Sequence, residues 1–331
     1  MNTVNFEKII SVENLLLAWK EFLRGKRNKK DVQEFQLHSM DNIFDLHNDL
    51  KNKMYKHGGY IAFNISDPKP RNIHKANVRD RLLHHAICRV LYPYFDYKFI
   101  HDSYSCRLNK GTHRAINRFR NFSRKVSKNN TRSCLVLKCD IRKFFANIDH
   151  QVLKQILGKH IKDKDIIWLL KQVIESFHTP KHIYAMAEMG EGLPLGNLTS
   201  QLLVNIYMNE FDQFIKRELK VKYYIRYADD FVVLSQDKEY LQNILEKMGE
   251  FLENKLKLNM HPNKVFIKTI ASGVDFMGWV QFPKHRILRT STKRRMLKQL
   301  KENFQEESKQ SYFGMLKHGN TYKLVSSMVK L

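Results

Sequence analysis

The sequence has little cysteine, and it has no long apolar run. Its four cysteines in 331 residues include no CxxC pair and no histidine at zinc-finger spacing, so neither a disulfide framework nor a structural zinc site is expected. No stretch approaches the roughly 18 consecutive apolar residues of a membrane-spanning helix. The early acids and the helical apolar pattern of residues 1–16 argue against a secretory signal. We therefore expect a cytoplasmic protein with reduced thiols and no membrane partner.

Acidic residues are scarce relative to basic ones. The chain has 33 Asp plus Glu against 58 Lys plus Arg, which gives a formal net charge of +25. Residues 101–133 hold nine basic residues against one acid, and residues 281–331 hold twelve against three. Two separate basic blocks in a folded chain favour a nucleic-acid backbone as the partner, since no amphipathic stretch suited to a membrane surface is evident.

The apolar periodicity predicts helices and strands within one continuous body, because no internal repeat or low-complexity linker divides it. Apolar residues recur every three or four positions in 12–24, 80–95, the 150s to 170s and 198–215, which predicts helices. An extended segment is predicted over 60–71, a short buried strand over 134–139, and a hairpin from the runs 223–228 and 231–234.

Three aspartates stand where the predicted strands end. Asp140 follows the strand 134–139, and Asp229 and Asp230 separate the two strands of the hairpin. Each aspartate taken alone is explained by a role in its turn, because Asp side chains cap backbone groups there. If the strands lie side by side, however, the carboxylates converge beside an apolar core and repel one another unless cations lie between them. Such oxygen ligands suit two Mg²⁺ ions, and with the basic surface they predict phosphoryl transfer, by a nuclease or a polymerase.

The residues around these acids resemble the motifs of reverse transcriptases, in the expected order from about Asp67 to Trp279. The matching segments are Lys69-Pro-Arg71 with Arg79-Asp80-Arg81, Ser103 to Arg107 with Lys110 to His113, Lys138 to His150, Tyr227-Ala-Asp-Asp230, and Leu258 to Lys264 with Val274 to Trp279.

This resemblance implies an α+β fold with right-hand polymerase architecture, in which an antiparallel palm sheet is combined with helices. The implied divisions are an N-terminal helical extension over 1–60, fingers over 61–133, a palm over 134–281 with a fingers-like insertion around 151–190, and a short, basic, helical thumb-like region over 282–331.

The resemblance also implies a role for each site residue. Asp140, Asp229 and Asp230 are the expected catalytic metal ligands, joined by the main-chain carbonyl of Ile141. The ring of Phe145 is expected to exclude a 2′-hydroxyl by its bulk, while one ring of the Phe144-Phe145 pair belongs to the core. The expected nucleotide-binding set is Lys69, Arg71, Phe145, Leu195, Gly196, Gln201 and Lys264, of which Lys264 would protonate the leaving pyrophosphate. The expected nucleic-acid contacts are Arg107, Lys110, Arg114, Gly278, Lys293, Arg294 and Arg295.

Within the reverse transcriptases, the segment from Gly192 to Gln201 most resembles the enzymes of diversity-generating retroelements. Most reverse transcriptases have Gln-Gly and then Ser-Pro where this chain has Leu195-Gly196 and Ser200-Gln201. The resemblance implies an RNA-directed DNA polymerase that makes frequent errors opposite template adenine.

The implied cofactor is a pair of Mg²⁺ ions, with Mn²⁺ as the alternative. The implied partners are a template RNA, a DNA or RNA primer, deoxynucleoside triphosphates, and a small basic accessory protein or a structured noncoding RNA. Other functions stay open: a reverse transcriptase of a phage-defence system or of a group II intron-like element, and a catalytically silent scaffold that binds nucleic acid.

Overall fold

The computed structural model describes residues 4–66, 70–178, 190–302 and 305–329. The chain divides into two compact units, each assembled from segments that are distant in sequence. The first unit takes in 1–100, 142–214 and 250–259, and the second takes in 101–141, 215–249 and 260–331. Helices and antiparallel sheets occur together, so the expected α+β class is confirmed.

The elements are numbered in chain order. The helices are α1 (Phe6–Ile10), α2 (Val12–Phe22), α3 (Lys30–Leu37), α4 (Ser39–Lys51), α5 (Val78–Asp96), α6 (Thr112–Val126), α7 (His150–His160), α8 (Lys164–Glu175), α9 (Leu198–Gln213), α10 (Lys238–Leu256), α11 (Thr290–Glu302), α12 (Glu306–Leu316) and α13 (Tyr322–Val329). The strands are β1 (Tyr60–Ile65), β2 (Arg71–Ala76), β3 (Leu135–Asp140), β4 (Tyr224–Tyr227), β5 (Asp230–Ser235), β6 (Phe266–Thr269), β7 (Val274–Phe276), β8 (Trp279–Gln281) and β9 (Arg286–Leu288).

Side-chain caps fix where several helices begin. Ser11 accepts from the backbone N–H of Asn14 at the start of α2, and Asn77 accepts from Asp80 at the start of α5. Asp149 caps α7 in the same way. Each cap satisfies a backbone donor that the helix itself leaves unpaired, which helps to confirm the helices predicted over 12–24, 80–95 and the 150s.

The first unit is a helical body with one β-ribbon. Helix α5 packs against α2 and α9, with Leu82, Leu83 and Leu91 fully buried. Strands β1 and β2 pair antiparallel, with Ile65 opposite Arg71 at the open end. The prediction of an extended segment over 60–71 is confirmed at its two ends, but these ends belong to two paired strands and not to one segment. Residues 67–69 lie outside the described residues.

The second unit contains a four-stranded antiparallel sheet in the order β4-β5-β3-β6 and a three-stranded sheet in the order β7-β8-β9. Helix α6 packs against β4 and β5 through its apolar face. Its Phe119 ring is stacked on Phe276 of β7 with the ring centroids 5.4 Å apart. This apolar core holds β3 beside β5, which confirms the strand adjacency on which the convergence of the acids depends.

Two predicted strand boundaries differ from the structure. Strand β3 includes Asp140 rather than stopping before it, and β5 begins at Asp230. The tip of the hairpin is therefore Ala228 and Asp229, not the two aspartates. Residues 286–288 form β9, and the helical part of the C-terminal region begins at Thr290.

Candidate functional site

Three aspartates come together at one end of the four-stranded sheet. Asp140, the last residue of β3, lies directly opposite Asp230, the first residue of β5. Asp229 is in the turn that precedes Asp230, and its carbonyl accepts a hydrogen bond of 3.2 Å from the backbone N–H of Ile141. Because antiparallel register places the end of one strand against the start of its neighbour, this convergence follows from the pairing itself.

The carboxyl of Asp230 lies in an environment that disfavours its charge. Burial is the main cause and raises its pKa to about 7; the ammonium of Lys138 opposes that shift, and the charges of Asp229 and Asp140 add to it. The Nζ of Lys138 is 3.3 Å from Asp230 Oδ2. The other oxygen, Oδ1, is buried without a hydrogen-bond partner in the part of the chain that the structure describes.

Asp140 has a lysine partner of its own. The Nζ of Lys264 donates to Asp140 Oδ1 over 3.0 Å, and the backbone N–H of His261 donates to the Asp140 carbonyl over 2.7 Å. The side chain of Lys264 is 47% exposed, so this lysine can leave the carboxylate without a large desolvation cost. Two ammonium groups thus balance part of the negative charge that the three aspartates create.

The donor set fits a hard divalent cation. Among the residues that the structure describes, no three His, Cys, Asp or Glu side chains already surround a common point. Carboxylate oxygens are nevertheless the ligands that Mg²⁺ and Mn²⁺ prefer, and the unpartnered Oδ1 of Asp230 is an available acceptor. Asp140, Asp229 and Asp230 are therefore the residues that would hold such an ion, with the carbonyl of Ile141 next to them in sequence.

Two site residues were missed by the sequence reasoning, Lys138 beside Asp230 and Arg226 within β4. Arg226 is fully buried, and its Nη1 donates to the carbonyl of Ala228 over 3.1 Å. The available signal was the same for both: a cation inside an otherwise apolar strand requires a partner.

The expected nucleotide-binding residues that the structure describes lie in the first unit, apart from Lys264. The segment Leu195 to Asn197 runs along β2 and is held there by two hydrogen bonds to His74. The His74 N–H donates to the Leu195 carbonyl over 3.0 Å, and the Asn197 side-chain amide donates to the His74 carbonyl over 2.9 Å. Gly196 has a φ of +104°, and a Cβ atom there would lie 2.9 Å from Cγ2 of Ile73. Glycine is therefore required at position 196 by both backbone conformation and space.

The remaining residues of the expected nucleotide-binding set differ in their exposure to solvent. Arg71 is exposed at the start of β2, and Gln201 is half-buried in α9. Lys69 lies outside the described residues. Phe144 is 3% exposed and belongs to the core, whereas Phe145 is half-buried, with its ring centroid 5.6 Å from that of Phe144. The expectation that one ring of this pair is core is confirmed for Phe144.

The expected nucleic-acid contacts all belong to the second unit. Helix α6 carries no acid, and Arg114 on it is exposed. Arg107 donates to the Ser103 carbonyl, and Lys110 donates to the His101 carbonyl, so both are anchored beside α6. Gly278 forms the β7–β8 turn with a φ of +81°. On α11, Lys293 and Arg294 are exposed and Arg295 is half-buried.

Comparison with known proteins extends these observations. A family described as "Reverse transcriptase (RNA-dependent DNA polymerase)" matches residues 56–281, which is more than half of the chain. Protein YkfC of Escherichia coli (strain K12) is 27% identical over 256 residues, covering 68% of this chain and 65% of that protein.

Two further relatives are named for introns. The group II intron-encoded protein LtrA of Lactococcus lactis subsp. cremoris is 23% identical over 282 residues, covering 66% of this chain and 45% of that protein. The mitochondrial nuclear intron maturase 3 of Arabidopsis thaliana is 24% identical over 254 residues, covering 68% of this chain and 34% of that protein. The chain thus spans between 34% and 65% of the length of these three relatives. In the described ranges, no helix is long and apolar enough to cross a membrane.

Proposed function

The chain belongs to the reverse transcriptase family, and from that premise we propose that it is an active RNA-directed DNA polymerase that copies an RNA template into cDNA. The observation that carries the proposal is the register that places Asp140 opposite Asp230, with Asp229 in the adjoining turn. A scaffold that only bound nucleic acid would have no use for three carboxylates gathered at one sheet end, because their mutual repulsion is unfavourable without cations.

The reaction joins the 3′-hydroxyl of a primer to the α-phosphorus of a deoxynucleoside triphosphate. The 3′-hydroxyl gives its proton to water, the new O–P bond forms as the bond between the α-phosphorus and the bridging oxygen breaks, and pyrophosphate leaves. Two divalent cations, when bound, lower the pKa of the attacking hydroxyl and neutralise the charge that develops on the phosphates. Asp140, Asp229 and Asp230 would hold these cations, and Lys264, already ion-paired with Asp140, donates a proton to the departing pyrophosphate.

The test is primer extension on an RNA template by the Asp229→Asn variant. Loss of a metal ligand is expected to lower the rate by at least about a hundredfold, while the thermal midpoint changes little. Asp237→Asn is the matched control, because Asp237 lies just beyond the other end of β5 and caps α10 through a bond to the Tyr240 N–H, which asparagine keeps. Full-rate cDNA synthesis by Asp229→Asn would contradict the proposal.

We further propose that the enzyme belongs to a diversity-generating retroelement and misreads template adenine. The support is the Leu195-Gly196 and Ser200-Gln201 signature, together with the two hydrogen bonds that hold the Leu195 to Asn197 backbone against β2. In this role its partners are a template RNA, a primer, and a small basic accessory protein or a structured noncoding RNA.

The second candidate is a reverse transcriptase of a group II intron-like element. The names of two relatives, an intron-encoded protein and an intron maturase, favour it. The RNA that copurifies with the protein separates the two roles, because an intron-like role requires intron RNA and a diversifying role requires a short template repeat.

A further inference from the structure

Arg226 is a charged side chain that solvent does not reach. It lies in β4, three positions before Asp229, and its exposed fraction is 0%. Burying a guanidinium is costly unless its donors find acceptors, so a buried arginine beside a catalytic turn is retained for what it contacts.

The guanidinium of Arg226 joins the turn to a neighbouring segment. Its Nη1 donates to the Ala228 carbonyl over 3.1 Å, and its Nη2 donates to Ser103 Oγ over 3.1 Å. The Ala228 carbonyl belongs to the peptide group whose nitrogen is that of Asp229. The contact therefore fixes the plane of the peptide from which the Asp229 side chain projects.

The turn needs such a contact because its backbone is strained. Ala228 has a φ of +54°, which lies in the left-handed region that residues with a Cβ atom seldom occupy. A hydrogen bond to its carbonyl from a rigid, charged donor offsets that strain.

The segment that supports Arg226 is itself firmly held. The backbone of Arg226 donates to the Asp102 carbonyl over 3.0 Å and accepts from the Tyr104 N–H over 2.9 Å. The Asp102 carboxylate in turn accepts two bonds from Arg118 of α6, at 2.7 and 3.1 Å. A continuous series of polar contacts thus leads from α6 through Asp102 and Arg226 to the Ala228 carbonyl.

We propose that Arg226 is a positioning residue that sets the orientation of Asp229 through the Ala228 carbonyl and so determines how tightly the aspartates bind a divalent cation. This inference rests on the proposed function. It assigns to Arg226 no contact with substrate, and its effect is exerted only through the turn.

The experiment measures Mn²⁺ binding by electron paramagnetic resonance on the full chain, with Arg226→Lys and Arg226→Met. Lysine keeps the charge but cannot reach both the Ala228 carbonyl and Ser103 Oγ, and methionine removes both bonds. The matched control is Arg286→Lys. Arg286 is also a buried strand arginine of the second unit, but it bonds to Asn117 and the His318 carbonyl.

Both Arg226 variants are expected to raise the Mn²⁺ dissociation constant by about tenfold to a hundredfold, as loss of a residue supporting a metal ligand typically does. Arg286→Lys is expected to lower the thermal midpoint without changing Mn²⁺ affinity. Equal Mn²⁺ affinity in wild type and Arg226→Lys, with a lowered thermal midpoint as in Arg286→Lys, would overturn the inference and leave Arg226 a structural residue.

Ser103→Ala covers the case in which the Arg226 variants do not fold. It removes only the hydroxyl that accepts from Nη2, and it is expected to weaken Mn²⁺ binding by a severalfold factor with the fold intact; unchanged affinity would overturn the inference. A wild-type protein that binds Mn²⁺ but makes no cDNA would refute the polymerase proposal alone, because the Mn²⁺ measurements judge Arg226 independently.

Discussion

Asp140 and Asp230 face each other across β3 and β5, and each carboxylate is balanced by a different lysine. Lys264 pairs with Asp140 and Lys138 pairs with Asp230. The two ion pairs are not equivalent, since the side chain of Lys138 is 11% exposed and that of Lys264 is 47% exposed. The side chain of Lys138 is therefore mostly buried within the sheet, whereas that of Lys264 remains accessible to solvent.

Asp230→Asn should stabilise the protein at pH 8 in the absence of divalent cations. The folded protein raises the pKa of Asp230 from 3.8 to about 7, so the native state becomes less stable as the pH rises from about 4 to about 7, and the loss is complete above that range. Asparagine cannot ionise, so it places no charge at this buried position. The shift corresponds to at most about 4 kcal/mol, and we expect a gain on the order of 1 kcal/mol in urea unfolding with EDTA.

In millimolar Mg²⁺ the wild type should instead be more stable than Asp230→Asn, because a bound cation stabilises only the folded wild type. The exposed Asp237→Asn variant serves as the control and should show no change in either buffer. A loss of stability in Asp230→Asn at pH 8 with EDTA would show that the ion pair with Lys138 outweighs burial and repulsion.

Phe145→Ala should admit ribonucleotides. The ring of Phe145 is half-buried and is the member of the pair that retains accessible surface, so its bulk is available to exclude a 2′-hydroxyl. Steric overlap of this kind is worth about 1 to 3 kcal/mol, or roughly a tenfold to hundredfold loss of discrimination. The measurement is the ratio of kcat/KM for deoxynucleoside and ribonucleoside triphosphates.

Phe144→Ala is the control for this prediction. Its ring is in the core, so its removal should lower the free energy of unfolding by about 3 to 5 kcal/mol without relaxing sugar selection. Unchanged discrimination in Phe145→Ala would place the sugar gate at another residue.

Leu195→Gln should reduce errors at template adenine. The backbone of Leu195 is held by the His74 N–H, so the substitution changes the side chain while the chain path stays fixed. A glutamine can offer a hydrogen bond around the nascent pair where leucine offers only apolar contact, a difference of about 1 to 3 kcal/mol. Sequencing cDNA from a template containing all four bases, with any accessory protein supplied, gives the error spectrum. Uniformly low errors in the wild type would argue for the defence or intron-like role.

RNA binding should depend steeply on salt. Each phosphate neutralised on a single strand contributes about −0.7 to the slope of log K against log salt. Arg114→Gln, which removes one exposed cation from α6, should make the slope shallower by about that amount. Lys51→Gln on α4, outside both basic blocks, should leave it unchanged. A salt-independent affinity in the wild type would exclude the backbone-tracking mode of binding.

Asp102→Asn should destabilise the protein more at pH 7 than at pH 3. Burial would raise the pKa of Asp102, but its hydrogen bonds with Arg118, His101 and Tyr104 and the charge of Arg118 outweigh burial, so the pKa lies below its usual 3.8. The stabilisation is therefore present above the unfolded pKa and is lost as the pH falls through the folded pKa. We expect a loss of about 1 to 3 kcal/mol at neutral pH in urea unfolding. An equal loss of stability at pH 7 and at pH 3 would mean that the shape of the side chain, rather than its charge, matters at this position.

Much of the second unit's sheet could be predicted from the sequence because its signals are local. The apolar run ending at Asp140 and the two β-rich runs around Asp229 are patterns of four to six residues. In the first unit, α9 follows in the same way from apolar residues at helical spacing. The three candidate acids follow from the same short patterns and from the family resemblance. The sequence also predicts that one ring of the Phe144-Phe145 pair is core, but only burial shows that this ring is Phe144.

What only the tertiary structure decided is which residues share an environment. The pairing of Asp140 with Asp230 depends on β5 lying between β4 and β3, and the contact of Ile73 with Gly196 joins residues more than a hundred positions apart. The raised pKa of Asp230 and the bond from Arg226 to the Ala228 carbonyl depend on burial and register together. Desolvation and hydrogen bonding act over a few ångströms in space, whereas sequence patterns report only neighbours along the chain, so these properties come into existence when the strands pair.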